Sequence, residues 1–347
     1  MILRAGHRLT MKEPGHLRDL AHQTIELAPE ETKSAPAALY PPDALEKVVG
    51  LSPWRSWPVE TALINGEAIT HAATKAHVVK DVSIFGPMVY KHATKYDAGF
   101  GAERIWRQIS GPARIINDAV LVSCFAGSRF FGPFLKDSLP LELLPDEGAH
   151  MIGLRTKTYG HETGYRTLFG LPAPPLVDHA HVRHLTFHDD VGQNSGKAAR
   201  YQTLRDRLRL RLKVPSHQPP KGIYLKRGKT GESRLLTNEA VIEDHLTKLG
   251  FDIVEPATLS ADEIARRTLD APIVVSVEGS HMSHVVYSMA ASGTLLVLQP
   301  PDRFAMAFKE FTDQIGIRFA FFVGDAAHGG FAIDPSAFSR FVERVMP

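Results

Sequence analysis

The C-terminal half of the chain alternates short apolar runs with stretches of helical periodicity, and this alternation restricts the possible fold more than any other sequence feature. In the most apolar run, residues 272–277, Ser276 is the single polar residue. Runs of this kind are typical of parallel strands that helices cover on both faces. The sequence therefore predicts an α/β fold with a parallel sheet, and such sheets bind ligands at the carboxyl ends of their strands.

The predicted elements of this half follow the alternation closely. Strands are predicted at 222–226, 252–254, 272–277, 294–298 and 318–323. Helices are predicted at 238–249, 260–269, 283–292, 302–315 and 335–346. The second of these helices carries the clearest start signal, because Ser260 and Glu263 have the spacing of a capping box.

The N-terminal half is less regular. Strands are predicted at 114–125 and 182–187, a hairpin that turns at Gly86-Pro87 within 76–90, and helical turns at 130–137 that restart near 138–140. Residues 195–213 predict an amphipathic helix with Ser195 as N-cap. Its apolar stripe consists of Tyr201, Leu204, Leu208 and Leu212.

The proline-rich segment 214–220 stops regular structure after this helix and is the best candidate for a domain boundary. The predicted organisation is an N-terminal arm or irregular lead-in at 1–60, an α/β domain at 61–213, a Rossmann-like domain at 221–334 and a closing helix at 335–347.

Composition narrows the functional classes. A chain of 347 residues is long enough for two domains and an arm, and its net charge of +2 argues against a dedicated nucleic-acid binder. The single cysteine, Cys124, lies in the apolar run 120–125, where a small core residue is expected, and it excludes an internal disulfide. No signal peptide or stretch of roughly 18 uninterrupted apolar residues is present, so a cytoplasmic location is expected.

Two clusters follow predicted strands. Behind strand 272–277 come Glu278 and Gly279, where glycine permits close backbone approach, and then Ser280, His281 and His284. A helix start at this point would direct backbone N–H groups and a positive dipole at a phosphate, with the two histidines as further donors. The alternative is a turn that caps a core helix with histidines at its surface, but the position at the end of the central strand favours a ligand site.

The second cluster follows strand 222–226. Arg227 has the bidentate geometry that suits a diphosphate, and Lys226 or Lys229 would add positive charge. The run Gly228-Lys229-Thr230 is similar to the end of a Walker A loop, but Ile223 occupies the position of its first glycine. A solvated basic loop is the alternative for this cluster taken alone.

Taken together, the two clusters carry a resemblance to a known family. In order and spacing, five segments of the chain resemble glycosyltransferase family 61. They are the run Gly222-Ile223-Tyr224-Leu225-Lys226-Arg227, the later Arg234 with Asn238-Glu239, the turn Gly250-Phe251, the segment 259–264 and the pair Glu278-Gly279. Upstream, residues 127–140 resemble the family segment His-Trp-Leu-x-Asp-x-Leu-Pro. The resemblance extends from about Ser123 to Arg303.

The resemblance implies two Rossmann-like domains facing across a cleft, the GT-B architecture, with the acceptor side in domain 61–213 and the donor in domain 221–334. It implies inverting transfer from a nucleotide-sugar to a saccharide or lipid-linked saccharide, and bacterial relatives act in capsule, exopolysaccharide or lipopolysaccharide synthesis. No cofactor is expected, and no metal either, because no Asp-x-Asp pair follows a predicted strand in domain 221–334. The resemblance places Lys226, Arg227, Arg234, Asn238 and Gly279 in the donor site, and the predicted helix start adds Ser280, His281 and His284. The chain departs from the family at Pro133 and Glu278, where the family usually has histidine.

Inverting transfer needs a base that deprotonates the acceptor hydroxyl. Asp137 is the candidate if helix 130–137 directs it into the cleft, although a structural role at the helix end is the alternative. Glu278 is the competing base, and it is equally suited to bind a ribose hydroxyl or to pair with Arg227.

Three alternatives stay open at this point. A metal-dependent hydrolase would use the residues His179, His181, His184, His188, Asp189 and Asp190, although on a strand these side chains alternate between faces. The many basic residues of helix 195–213 predict a solvated face, and contact with anionic lipid at the inner face of the membrane is the alternative. These residues are Lys197, Arg200, Arg205, Arg207, Arg209, Arg211 and Lys213. A nucleotide-sugar-binding module without catalysis is the third.

Overall fold

The computed structural model of the protein describes residues 15–98, 113–154, 157–213, 218–228 and 234–346. The strands are β1 Gln23–Ala28, β2 Glu31–Lys33, β3 Ile69–His71, β4 Thr74–Phe85, β5 Met88–Lys91, β6 Thr94–Asp97, β7 Arg114–Leu121, β8 Met151–Leu154, β9 Leu176–Val177, β10 His179–Asp189, β11 Ile223–Leu225, β12 Asp252–Val254, β13 Ile273–Val277, β14 Thr294–Gln299, β15 Arg318–Val323, β16 Asp325–Ala327 and β17 Gly330–Ala332.

The α-helices are α1 Trp57–Asn65, α2 Phe125–Arg129, α3 Phe131–Pro133, α4 Leu139–Leu141, α5 Glu162–Phe169, α6 Ser195–Leu212, α7 Glu239–Lys248, α8 Ala261–Thr268, α9 Lys309–Thr312 and α10 Pro335–Val345. Single 3₁₀ turns occur at Leu17–Leu20, Ala44–Lys47, Pro256–Thr258, Ser280–His284 and Asp313–Ile315. Residues Phe134–Ser138, between α3 and α4, form a π-helical turn.

The chain folds into two compact units. The N-terminal unit contains residues 1–31, 72–166 and 171–200, and the C-terminal unit contains residues 32–71, 167–170 and 201–347. Residues 32–71 thus group with the C-terminal half rather than with the arm and N-terminal domain. The predicted domain boundaries stay predictions, and most of the proline-rich linker, residues 214–217, lies outside the described residues.

The N-terminal unit is built on a curled mixed sheet of eight strands in the order β6-β5-β4-β10-β7-β8-β9, with β1 paired to β4. The predicted hairpin at Gly86-Pro87 is confirmed, with Phe85 opposite Met88. Antiparallel strands β1, β4, β5 and β6 lie beside the parallel strands β10, β7, β8 and β9. The prediction of an irregular lead-in is therefore wrong for β1, which pairs with β4 over five residue positions.

The C-terminal unit contains the expected parallel sheet, in the order β12-β11-β13-β14-β15. All five strands coincide closely with their predicted positions, because both sheet faces are covered and the runs are mostly apolar. Every residue of β13 and β14 is buried. The capping box of α8 and the closing helix α10 are also confirmed, with Ser260 Oγ accepting from the backbone N–H of Glu263. The α/β class is therefore confirmed.

The helix predicted at 283–292 is wrong. After the 3₁₀ turn the chain forms irregular turns, whose carbonyl groups bind side chains and backbone elsewhere in the unit. The guanidinium of Arg205 donates to the carbonyl oxygens of Val286 and Met289, and the backbone N–H of Asp270 donates to that of Ser288. Carbonyls that an α-helix would satisfy internally are already satisfied by these tertiary contacts.

The helix predicted at 302–315 is present only at its end, as α9 and the following 3₁₀ turn. The backbone N–H groups of residues 304–306 donate to acceptors that lie outside the predicted helix. Phe304 donates to the carbonyl of Gly50, and Met306 donates to Glu60 Oε2 at 2.6 Å. These contacts hold residues 304–306 in a non-helical conformation.

Helix α6 confirms the predicted apolar stripe, since Tyr201, Leu204, Leu208 and Leu212 are all buried. The N-cap prediction is wrong by one residue. Asn194 Oδ1 accepts from the backbone N–H of Lys197 at 3.0 Å, which makes Asn194 the cap, and Ser195 is the first helical residue.

Candidate functional site

The two clusters identified in the sequence meet at one edge of the C-terminal sheet. Strands β11 and β13 are adjacent and parallel, with Leu225 opposite Ser276, so the residues that follow both strands emerge together. Arg227, just beyond β11, donates through Nη1 to the carbonyl oxygen of Glu278 at 2.7 Å. The predicted proximity of the two clusters is therefore confirmed.

Arg234 also contacts Glu278. Its Nη1 lies 3.3 Å from the carbonyl oxygen of Glu278, and its Nε lies 2.9 Å from the carboxylate Oε2 of that residue. The carboxylate of Glu278 thus pairs with Arg234, whereas Arg227 contacts the backbone. Two guanidinium groups and one carboxylate leave one net positive charge at the strand ends, which favours an anionic ligand.

Gly279 permits this arrangement by its lack of a side chain. A Cβ atom at this position would lie 1.8 Å from Nη1 of Arg227. Because two heavy atoms cannot approach so closely, any other residue would displace the guanidinium. The glycine therefore serves the close approach expected from the sequence, and its neighbour in this contact is Arg227.

His281 forms a hydrogen bond that determines its role. Ser276 Oγ lies 2.8 Å from the carbonyl oxygen of Leu225, to which it donates, and 2.7 Å from His281 Nε2. We assign the single hydroxyl proton to the carbonyl of Leu225, so that His281 Nε2–H donates to Ser276 and Nδ1 is the acceptor nitrogen. Burial, followed by the charges of Arg227 and Arg234, lowers the pKa of His281 to about 3, so the ring is neutral at cellular pH.

The predicted contact between His281 and a pyrophosphate stays a prediction, and this tautomer bears on it through Nδ1. A phosphate oxygen needs a donor, and Nδ1 of this neutral ring offers a lone pair instead. His281 is therefore suited to accept a hydrogen bond from a hydroxyl or an N–H group of a ligand. The sequence signal for its partner was Ser276, the single polar residue of an otherwise apolar strand.

The other predicted donor residues lie in varied surroundings. Lys226 Nζ binds Glu243 of α7 at 2.8 Å, which raises its pKa, and the side-chain amide of Asn238 binds both backbone groups of Ile333. Ser280 is partly buried and His284 is buried. Lys229 lies outside the described residues.

Asp137 lies in the N-terminal unit, in the π-helical turn between α3 and α4. Its Oδ1 accepts from Lys197 Nζ at 2.7 Å, and a quarter of its side chain is exposed. Sequence reasoning missed this partner, because the basic residues of helix 195–213 predict a solvated face. Cys124, expected in the core, instead caps α2: its Sγ accepts from the N–H of Gly127 at 3.4 Å, and burial raises the thiol pKa.

The histidine-rich cluster on β10 does not converge. His184 lies 3.2 Å from Asp118, and His181 lies 3.6 Å from Asp81. Asp189 binds His77, and Asp190 binds Arg200. Among the described residues, no group of three or more histidine, cysteine, aspartate or glutamate side chains is arranged to hold a metal ion. The hydrolase alternative therefore loses its geometric basis in this part of the chain.

The solvated face predicted for α6 is wrong at three of its cations, since Lys197, Arg200 and Arg205 are buried. Each contacts a carboxylate or backbone carbonyl groups within its own unit. Arg211 and Lys213 are exposed, so the alternative of lipid contact stays a prediction for this end of the helix alone. None of the described helices is both long enough and apolar enough to cross a membrane.

The C-terminal unit is an α/β unit with a parallel sheet, and in such sheets ligands bind outside the carboxyl ends of the strands, where Arg227 and Arg234 lie. A family model for glycosyltransferase 61 matches residues 85–297, more than half of the chain. The protein therefore belongs to glycosyltransferase family 61, and it is a sugar-transferring enzyme that acts on a sugar donor and an acceptor. A comparison with curated proteins finds no match.

Proposed function

We propose that the protein is an inverting glycosyltransferase that moves a sugar from a nucleotide-sugar to a saccharide or lipid-linked saccharide, in bacterial capsule, exopolysaccharide or lipopolysaccharide synthesis. The observation that carries the donor assignment is the pair Arg227 and Arg234 on the carbonyl of Glu278, at the ends of β11 and β13. Transfer takes place in the cytoplasm, where nucleotide-sugars are the activated donors. The GT-B arrangement of the two domains belongs to the same proposal.

The diphosphate of the donor binds beside Arg227. Transfer releases a nucleoside diphosphate, whose developing charge needs donors fixed in place before the reaction. Arg227 supplies a planar set of N–H groups, and the ion pair with Glu278 holds Arg234 next to it. His281, as an acceptor, binds a hydroxyl or base N–H group of the nucleotide instead of the phosphate.

Asp137 acts as the general base. Its carboxylate is partly exposed, whereas that of Glu278 is about one-tenth exposed and paired with Arg234. Both carboxylates have a cationic partner, but the greater exposure of Asp137 leaves it better placed to take a proton from an acceptor hydroxyl. Glu278 is therefore assigned to the donor side, where it orients Arg234.

We expect a thermal-shift screen with UDP, GDP, CMP and dTDP to show one nucleotide that raises the melting temperature, because a ligand that binds the native state stabilises it. At a ligand concentration of about 100 Kd the stabilisation is about 2.7 kcal/mol. The shift is expected to be the same with EDTA. If no nucleotide gives a shift, the donor assignment is wrong, and a shift lost in EDTA and restored by manganese would contradict metal-independent binding.

Turnover separates the enzyme from the alternative of a binding module without catalysis. Release of nucleoside diphosphate from the nucleotide-sugar, dependent on an added saccharide acceptor, is expected. Binding of the donor without any such release across acceptor classes would favour the module.

Gly279→Ala is expected to weaken donor binding by about 10- to 100-fold, the loss of one hydrogen bond to a charged group. The added methyl group displaces the end of the Arg227 side chain, and the φ angle of 156° at Gly279 is strained for any other residue, so the melting temperature of the free protein should also fall. Titration calorimetry with the nucleotide identified by the screen measures the effect. Gly160→Ala is the control, since a Cβ atom at Gly160 meets nothing within 4 Å; equal affinity in both variants would exclude Arg227 from the site.

A further inference from the structure

A compact network of four charged side chains lies at the start of α6, within the N-terminal unit. Lys197 Nζ donates to Asp137 Oδ1 at 2.7 Å and to the carbonyl oxygen of Asp190 at 2.9 Å. Arg200, one turn further along the helix, binds both carboxylate oxygens of Asp190 at 3.0 and 2.7 Å. The two cations and two carboxylates balance in charge.

Asp190 does not depend on Lys197 for its neutralisation. It receives the bidentate contact from Arg200 and a further hydrogen bond from the Thr74 hydroxyl at 2.8 Å. Lys197 Nζ is 3.9 Å from Asp190 Oδ2, well beyond the 2.7 Å to Asp137. The ammonium group is therefore directed at Asp137.

Exposure distinguishes Asp137 from the rest of the network. The side chains of Lys197 and Asp190 are 0% and 1% exposed, whereas that of Asp137 is 25% exposed. A buried ammonium held at the carbonyl of Asp190 has little freedom, so it fixes one oxygen of a carboxylate that reaches the surface. Asp137 lies in a π-helical turn, a feature that occurs frequently at functional sites.

We propose that Lys197 is a positioning residue for Asp137, binding Oδ1 so that Oδ2 is held towards the acceptor hydroxyl. This inference rests on the proposed role of Asp137 as the base. A base misplaced by about 1 Å loses up to about 10²-fold in rate, so the orientation supplied by Lys197 contributes to turnover and leaves donor binding unaffected.

Lys197→Met tests the proposal, because it removes the charge and keeps an unbranched side chain of similar length. The variant is expected to fold, since Arg200 still neutralises Asp190 and Asp137 is free to turn to solvent. We expect kcat to fall by about 10- to 10²-fold with donor KM unchanged. Lys197→Gln, which keeps a hydrogen-bond donor, should lie between this variant and the native protein.

Lys309→Met is the matched control for the loss of a buried lysine. Lys309 is also buried, and its Nζ binds both carboxylate oxygens of Asp313 at 2.9 and 2.8 Å in the C-terminal unit. It should lower the melting temperature to a similar extent while keeping kcat near the native value. Equal kcat losses in the two variants, scaling with their melting temperatures, would show that Lys197 is merely structural.

A double-mutant cycle gives the decisive reading. If Lys197 acts through Asp137, adding Lys197→Met to Asp137→Asn should change kcat by less than about threefold. Independent effects that multiply would overturn the inference. If Asp137→Asn alone keeps native turnover, the proposed base is wrong and the inference falls with it; if Asp137→Asn is inactive but Lys197→Met is native-like, the base stands and the inference fails.

Discussion

Asp137→Asn is expected to lower turnover by about 10²- to 10⁴-fold, the usual contribution of a general base, while donor affinity stays close to that of the native protein. The amide keeps the size of the side chain and retains an oxygen for Lys197, so the network at the start of α6 should persist. Steady-state kinetics with donor and acceptor varied, together with calorimetric donor binding, measure the two quantities.

Two further variants complete this experiment. Asp118→Asn removes a largely exposed carboxylate on β7 in the same unit and should leave turnover unchanged. Glu278→Gln should weaken nucleotide binding, because it removes the charge that holds Arg234. Loss of turnover with intact binding in Glu278→Gln, and native rates in Asp137→Asn, would reverse the assignment of the base.

Native rates in both Asp137→Asn and Glu278→Gln would exclude both carboxylates as the base. His281 is then the next residue to test, although a pKa of about 3 makes its ring a weak proton acceptor. Because its Nε2–H donates to Ser276, Nδ1 is the nitrogen that accepts a hydrogen bond from a ligand, which favours a binding role instead.

Arg227→Ala is expected to weaken donor binding by about 1.5–3 kcal/mol, the value of a charge-assisted hydrogen bond, which corresponds to about 10- to 150-fold in Kd. Lys248→Ala is the control, because that lysine is exposed, pairs with Asp244 on α7 of the same unit and should contribute nothing to binding. Arg227→Lys should restore affinity only in part, since an ammonium lacks the planar set of donors. Native affinity in Arg227→Ala would remove the donor site from the end of β11.

The C-terminal sheet was predictable from sequence because its strands are buried on both faces and are therefore mostly apolar. Residues 273–277 and 294–299 illustrate this, since hydropathy alone locates both strands. The candidate site at Arg227 and Glu278 was also predictable, because adjacent parallel strands bring their carboxyl ends to one edge.

The failed helix predictions at 283–292 and 302–315 have a common cause. Their local periodicity favoured helix, but the carbonyls of residues 286–289 and the N–H groups of residues 304–306 bind partners outside a helical pattern, among them Arg205 and Glu60. Tertiary hydrogen bonds replaced the internal ones, and no local pattern signals such replacement.

Sequence by itself determined the α/β class, the parallel strand positions, the family and the residue types at the proposed donor site, all of which depend on local composition and order. Only the tertiary structure decided which groups pair. In the structure, Glu278 forms an ion pair with Arg234, His281 forms a hydrogen bond with Ser276, and Lys197 lies in the interior beside Asp137. The physical reason is that burial and hydrogen-bond partnership depend on elements far apart in the chain, such as α6 and the π-helical turn that holds Asp137. A basic residue on an amphipathic helix has the same local sequence signal whether it faces solvent or a buried carboxylate.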